Sequence, residues 1–205
     1  MSDSEQTAAV PSLQDYLQTS VAPRFAELVR GAEQRQAAAQ RELDDLRAAS
    51  GTMAWEISGA APARCYVNIA AGVMTVATEP SAEPFMTVSQ SADDWVRFTS
   101  SMAGLFGGDP RRPLGRSRIE RVRAIKGAVR FVLSGLPDGS AWTCTLYFGN
   151  APRPAEPQTT VTMAAELVSQ IQAGKLDPQV AFMQGQVKLS GDPGLAMQLG
   201  MALFV

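Results

Sequence analysis

The hydrophobic rhythm of the chain changes along its length. Residues 1–10 read as a loose polar tail, and Pro11 to about Ser50 reads as helix. Within it Phe25, Leu28, Ala32, Ala39, Leu43 and Leu46 recur at spacings of three, four or seven among Ala, Gln, Glu and Arg, the stripe of an amphipathic helix. That stripe fits a helix lying on its own domain, and it also fits the seam of a coiled-coil dimer; Gly51 is the expected stop. From Gly51 the period becomes two. Met53, Trp55 and Ile57 alternate with Ala54, Glu56 and Ser58; Cys65, Val67 and Ile69 alternate with Tyr66 and Asn68; Val73–Ala77 follows a turn at Gly72, and Met86 and Val88 continue the pattern. These are half-buried strands of antiparallel type joined by short turns. Ser91 or Asp93 can cap a helix that carries Trp95, Phe98 and Met102.

After a connector dense in Gly and Pro (Gly104, Gly107, Gly108, Pro110, Pro113, Gly115), alternation resumes in Val129, Phe131 and Leu133. Pro137-Asp138-Gly139 supplies a turn, and Trp142, Cys144, Leu146 and Phe148 form the returning strand of a hairpin. Val161 and Met163 belong to a further strand, Glu166–Ala173 to a helix ended at Gly174, and Val187 and Leu189 to another strand. Asp177-Pro178 and Asp192-Pro193 each place a capping residue before a proline suited to the first helical position. Thr87-Val88-Ser89 and Thr160-Val161-Thr162 both precede helices, and both follow strands bearing one tryptophan and one cysteine. The organisation expected is a tail and helical extension over 1–50 and one domain over 51–205; the echo suggests two related halves, 51–126 and 127–205, and a shared strand–helix grammar without common ancestry also accounts for it.

Composition narrows the chemistry. Hydrophobic residues are 45% of 205 and charged residues 19%, a balance that supports a packed core. The net charge of −2 argues against nucleic acid as a partner. The chain has no histidine, which removes Ser-His-Asp and Cys-His catalysis and histidine-ligated zinc. Cys65 and Cys144 form no CxxC pair and read as reduced, buried thiols. Asp93-Asp94 reads as helix capping, Gly107-Gly108 lacks the ending of a phosphate loop, and no Rossmann fingerprint is present. No metal or cofactor is called for, and no enzyme activity is expected. The polar, acidic start and the shortness of the apolar run Ile69–Ala77 lead to the expectation of a cytoplasmic protein.

Two segments stand out. Arg111, Arg112, Arg116, Arg118, Arg121, Arg123, Lys126 and Arg130 face a single acid, Glu120. This basic run suits anionic lipid headgroups or a phosphate, with Arg118, Arg121, Arg123 and Lys126 as the candidate contacts; a solvated strand face explains it equally simply. From Gly194 to Val205 only Gln198 is polar. A helix apolar nearly all round must be buried, dock on a partner or face an apolar ligand.

The segment Ala173-Gly174-Lys175-Leu176-Asp177-Pro178-Gln179-Val180-Ala181-Phe182-Met183-Gln184-Gly185-Gln186-Val187-Lys188-Leu189-Ser190-Gly191-Asp192, continued by Leu195-Ala196-Met197-Gln198-Leu199, resembles the sterol-carrier-protein (non-specific lipid-transfer) domain. The Trp142-Thr143 hairpin fits that family as well, and the first half echoes it through Trp55, Thr87-Val88-Ser89 and Asp93-Asp94-Trp95. The good match covers about 127–205. The first half lacks the Phe-x-Gln-Gly turn and the apolar last helix, and the basic connector, roughly 104–126, stands in their place. The chain ends on Val205 without a peroxisomal Ser-Lys-Leu-type signal.

The resemblance implies an α+β fold, a mostly antiparallel sheet covered by helices with an apolar tunnel between them. It implies binding or transfer of a fatty acyl chain, acyl-coenzyme A, sterol, phospholipid or isoprenoid quinone. Phe182, Met183 and Gln184 would lie by the tunnel, with Gln184 meeting the headgroup; Leu195, Met197, Leu199 and Met201 would line or close it, and Trp95 and Phe98 are taken as further contacts. A transient membrane contact and a homodimer through the N-terminal helix are the partner expectations beside the lipid. The alternative is an interaction module with a filled core that docks a partner enzyme.

Overall fold

Strand alternation puts nearly every large apolar strand residue on one side of a single eight-stranded sheet. The computed structural model describes residues 22–102, 114–136, 138–150 and 152–204. The expected tail, the connector before Leu114 with Arg111 and Arg112, and Pro137 lie outside them. The residues up to Asp44 and those from Asp45 onward are separate compact units. Helix α1, Ala22–Arg47, has no buried residue, and Phe25 and Leu28 are about two-thirds exposed, at 67% and 70%. It stops before Gly51, which instead lies inside β1. A Cβ there would come within 2.8 Å of the Phe85 ring, so this glycine serves close packing and not helix termination.

The sheet consists of β1 (Ser50–Ser58), β2 (Ala63–Ala70), β3 (Val73–Ala77), β4 (Pro84–Ser91), β5 (Gly127–Ser134), β6 (Trp142–Phe148), β7 (Thr159–Ala164) and β8 (Lys188–Gly191). Their order is β3-β2-β1-β4-β6-β5-β7-β8. Only β1–β4 and β5–β7 pair in parallel; the other neighbours are antiparallel. Helices are α2 (Ala92–Arg97), continued by a π-helical turn Phe98–Met102, then α3 (Arg116–Ala124), α4 (Ala165–Gln172), α5 (Pro178–Met183) and α6 (Pro193–Phe204). The architecture is α+β. No helix among the described residues is long and apolar enough to cross a membrane.

Connectivity and register repeat along the chain. In β1–β2, Gly51 pairs with Ile69, Met53 with Val67 and Trp55 with Cys65. In β5–β6, Gly127 pairs with Phe148, Val129 with Leu146 and Phe131 with Cys144. The parallel return strands match too: Trp55 pairs with Val88, and Phe131 with Val161. Thr87-Val88-Ser89 and Thr160-Val161-Thr162 therefore occupy corresponding positions, and so do the two cysteines. The tryptophans do not: Trp55 corresponds to Phe131, and Trp142 to Ala63. In each half a helix follows the return strand directly. A later helix then packs on the parallel pair, α3 on β1 and β4, α6 on β5 and β7. The basic connector thus contains a helix, not a strand face. Ile119 and Val122 fall on its buried side, three residues apart, a signal diluted by the arginines around them.

Gly115, the N-cap of α3, offers no side chain, and the Asp45 carboxylate takes over. Its Oδ1 accepts from Ser117 N–H at 3.0 Å and from Ser117 Oγ–H at 2.6 Å. The Ser117 hydroxyl, seconded by its N–H and by Arg116 and Arg121, holds this carboxyl below its ordinary value. Its contribution to stability is therefore complete above the ordinary carboxylate range and fades as pH falls through the folded value. Asp45→Ala should cost about 1 kcal/mol in urea unfolding at pH 7. The difference from wild type should shrink at acid pH; an undiminished difference there would contradict the assignment.

Candidate functional site

Two hydrophobic clusters share the apolar face of the sheet. One contains Phe85, Val129, Phe148 and Val161 under Ile119 and Val122 of α3 and Leu195, Leu199 and Ala202 of α6. The other contains Val88, Leu133, Trp142 and Cys144, with Ala165 and Val168 of α4 and Phe98 of the π-helical turn. Met86, Leu146, Phe131 and Met163 pack against both. They come from β4, β6, β5 and β7, which are adjacent in that order, so they form a diagonal row across the middle of the sheet. All four are only half-buried, whereas Val129, Leu133 and Phe148 are at most 2% exposed. The row is a strip of apolar surface between two helix-covered ends.

Aromatic rings gather alongside this strip, on the side of the second cluster. Trp55 meets Trp95 edge-on at 6.0 Å between ring centroids, Trp95 stacks on Phe98 at 5.7 Å, and Phe98 stacks on Trp142 at 6.2 Å. Ser91 fixes the approach of α2: its Oγ accepts from Asp94 N–H at 3.0 Å and donates to Asp94 Oδ2 at 2.7 Å. The other carboxylate oxygen of Asp94 accepts from Thr143 N–H at 3.2 Å, tying the helix to β6. Burial, with the Asp94 charge added, pushes the Cys144 thiol up to about 12. Both cysteines are free thiols; Cys65 is half-buried and Cys144 buried.

The opposite face of the sheet is polar. Glu56 receives a bidentate guanidinium from Arg153 (2.6 and 2.8 Å) and an ion pair from Arg64 at 3.1 Å. A cleft of about 210 Å³ beside them involves Tyr147, Thr87 and Gln158. A second, of about 410 Å³, is bordered by Ser58, Ser89, Gln90, Asp94, Arg130, Thr143 and Thr145. Neither is the apolar tunnel expected from the resemblance.

The residues singled out in the sequence are distributed as follows. Trp95 and Phe98 join the aromatic group. Leu195 and Leu199 are buried at 5% and 3%, in the first cluster. Met197 and Met201, on the other side of α6, are 62% and 55% exposed. Asp192 caps that helix, its Oδ1 accepting from Gly194 N–H at 2.8 Å. Phe182 and Met183 at the end of α5 are also exposed, and Gln184 accepts a hydrogen bond from Gln186 Nε2 at 2.9 Å. Arg121 and Lys126 are exposed and Arg118 half-buried. Arg123 donates to Ser50 O at 3.2 Å and lies over the Phe85 ring. The half-buried row was missed, because it comes from four separate strands and appears only once their register is known. Gln90 was missed as well: a polar residue on the apolar side of β4, out of phase with its neighbours, was the available signal.

Comparison with known proteins addresses the second half of this fold. Residues 113–204 match the model of the SCP-2 sterol transfer family. This region is an SCP-2 domain. Hydroxysteroid dehydrogenase-like protein 2 of Xenopus laevis is 33% identical over 84 residues, 39% of this chain and 20% of that protein. Sterol carrier protein 2 of Homo sapiens is 33% identical over 84 residues, 38% of this chain and 15% of that one. Each alignment thus spans about a fifth or less of the curated relative. The crystal structure of sterol carrier protein 2 like 2 from Aedes aegypti aligns at 23% identity and a TM-score of 0.32, over 55% of this chain and 94% of that one. The SCP-2 match begins just before α3 and leaves β1–β4 and α2 outside it.

Within the SCP-2 domain, the two sides of α6 should respond differently to truncation. Leu199→Ala should lose about 2–5 kcal/mol in urea unfolding, and Met201→Ala no more than about 0.5 kcal/mol. Equal losses would place Met201 in the core.

Proposed function

We propose that the chain binds a single lipid, without catalysis, by laying its apolar chain along the row Met86, Leu146, Phe131 and Met163. The observation that carries this reading is the half-exposure of that row between two well-covered clusters. Exposed apolar surface of this kind inside a fold calls for an occupant. The description of the SCP-2 family as one of sterol transfer, and the name of sterol carrier protein 2, give the reading its direction. Burial of about ten methylenes would contribute roughly 8 kcal/mol before ordering costs. The chemistry needs no metal and no nucleotide; it needs dry contact and a way in.

The way out is a membrane. The α3 helix carries Arg116, Arg118, Arg121 and Arg123, with Glu120 as the acid among them, and Arg116 is paired to Glu120 at 2.8 Å. The α6 helix, packed beside it, exposes Met197 and Met201. Cations beside apolar side chains suit transient docking on anionic lipid.

Native mass spectrometry of the purified protein, followed by solvent extraction, should detect bound lipid, or uptake of one added fatty acyl chain per protein. Met86→Gln combined with Met163→Gln should weaken uptake at least tenfold while circular dichroism is unchanged. An empty protein that takes up nothing would instead favour a filled interaction module. Arg121→Glu should reduce sedimentation with phosphatidylglycerol vesicles and leave lipid uptake intact; equal sedimentation would remove α3 from the docking surface.

A further inference from the structure

One buried polar side chain on the apolar face has no partner. Gln90 is 5% exposed, and neither its Nε2 nor its Oε1 makes a hydrogen bond. It pairs in register with Ile57 of β1 and so shares the face of Trp55 and Val88. The antiparallel register that sets Val88 against Leu146 and Ser89 against Thr145 carries it towards Cys144. The indole N–H of Trp55, one strand over, is likewise buried and unpartnered. A buried amide left unsatisfied at both ends is destabilising, and native folds rarely keep one without a use.

We infer that Gln90 and Trp55 anchor the polar end of the bound lipid, and that this end is an uncharged group able both to donate and to accept a hydrogen bond, an alcohol. The inference rests on the lipid-binding reading above and adds to it the headgroup chemistry and the residues that read it. A hydroxyl donates to Gln90 Oε1 and accepts from Gln90 Nε2 or Trp55 Nε1, which satisfies the groups the fold leaves open. A carboxylate only accepts, so it would leave Oε1 unpaired. It would also set a second negative charge near Asp94, which borders the same cleft as Gln90.

The half of the sheet that holds this anchor lies outside the SCP-2 match at 113–204. The apolar row spans β4 and β6 and runs from it into the SCP-2 domain. The segment that covers the aromatic group has an irregular backbone. The turn Phe98–Met102 is π-helical, and its hydroxyls bond back to the main chain, Ser100 Oγ to Val96 O at 2.7 Å and Thr99 Oγ1 to Trp95 O at 3.1 Å. Such turns are rare and recur at functional sites.

The test uses the full chain and its own fluorescence, because all three of its tryptophans belong to this aromatic group. Titration with hexadecan-1-ol and with hexadecanoate should give at least tenfold tighter binding of the alcohol. Gln90→Leu, close in size, should lower alcohol affinity at least fivefold, leave hexadecanoate little changed, and raise the melting temperature of the empty protein. Equal binding of the two lipids by wild type, or unchanged alcohol affinity in Gln90→Leu, overturns the anchor while lipid binding stands. Failure of both lipids to bind at all, checked by native mass spectrometry, overturns the lipid-binding reading together with it.

Discussion

The antiparallel pairing of β4 with β6 is the joint on which the rest of the fold depends. Met86 to Ser89 on one strand meet Phe148 to Thr145 on the other, and this ladder turns two four-stranded arrays into one sheet. Each array has a neighbour where its own edge would be: β4 covers the free side of β6, and β6 covers the free side of β4. The apolar row crosses this seam from Met86 to Leu146, so the surface proposed to hold a lipid exists only while the ladder is formed. The region matched as an SCP-2 domain leans on a strand that its own boundaries exclude.

The repeated register also shows where the two halves differ. Corresponding helices close the two parallel strand pairs, α3 on one and α6 on the other. Both bury an apolar stripe, Ile119 and Val122 in α3, Leu195 and Leu199 in α6. Their outer surfaces have gone different ways, arginine-rich on α3 and methionine-bearing on α6. Gly51 and Gly127 keep corresponding places at the strand starts, and each admits a large neighbour, Phe85 in one case and Leu195 in the other. The sides of the two helices that pack on the sheet are alike, and their solvent-facing sides differ.

Much of this was legible in the chain. Period-two alternation located the strands, because a one-sided sheet writes its burial directly into sequence. Ser91, Asp177 and Asp192 marked helix starts, and the structure shows each side chain accepting from the first turn. The helix at Arg116–Ala124 was hidden, since four arginines overwhelm a stripe of two buried residues. Gly51 misled because a glycine after a helical run resembles a stop, whereas here the absent side chain makes room for a ring from β4. The long apolar C-terminus called for burial, a partner or an apolar ligand, and it divides: Leu195 and Leu199 are buried while Met197 and Met201 face outward. Which strands stand side by side, and so which half-buried residues line up, is a property of non-local pairing that periodicity does not record.

The two outer strands of the sheet are not equivalent. At one margin β8 is four residues long and carries Lys188, a charge that discourages pairing with another chain. At the other, β3 shows Val73, Met74 and Val76, at 59%, 59% and 70% exposure, and carries no charge. Unpaired backbone groups flanked by β-branched side chains are a template for strand addition. Concentrating this protein therefore exposes it to edge-to-edge growth from one side only, and a single lysine on β3 is the change that would guard that margin.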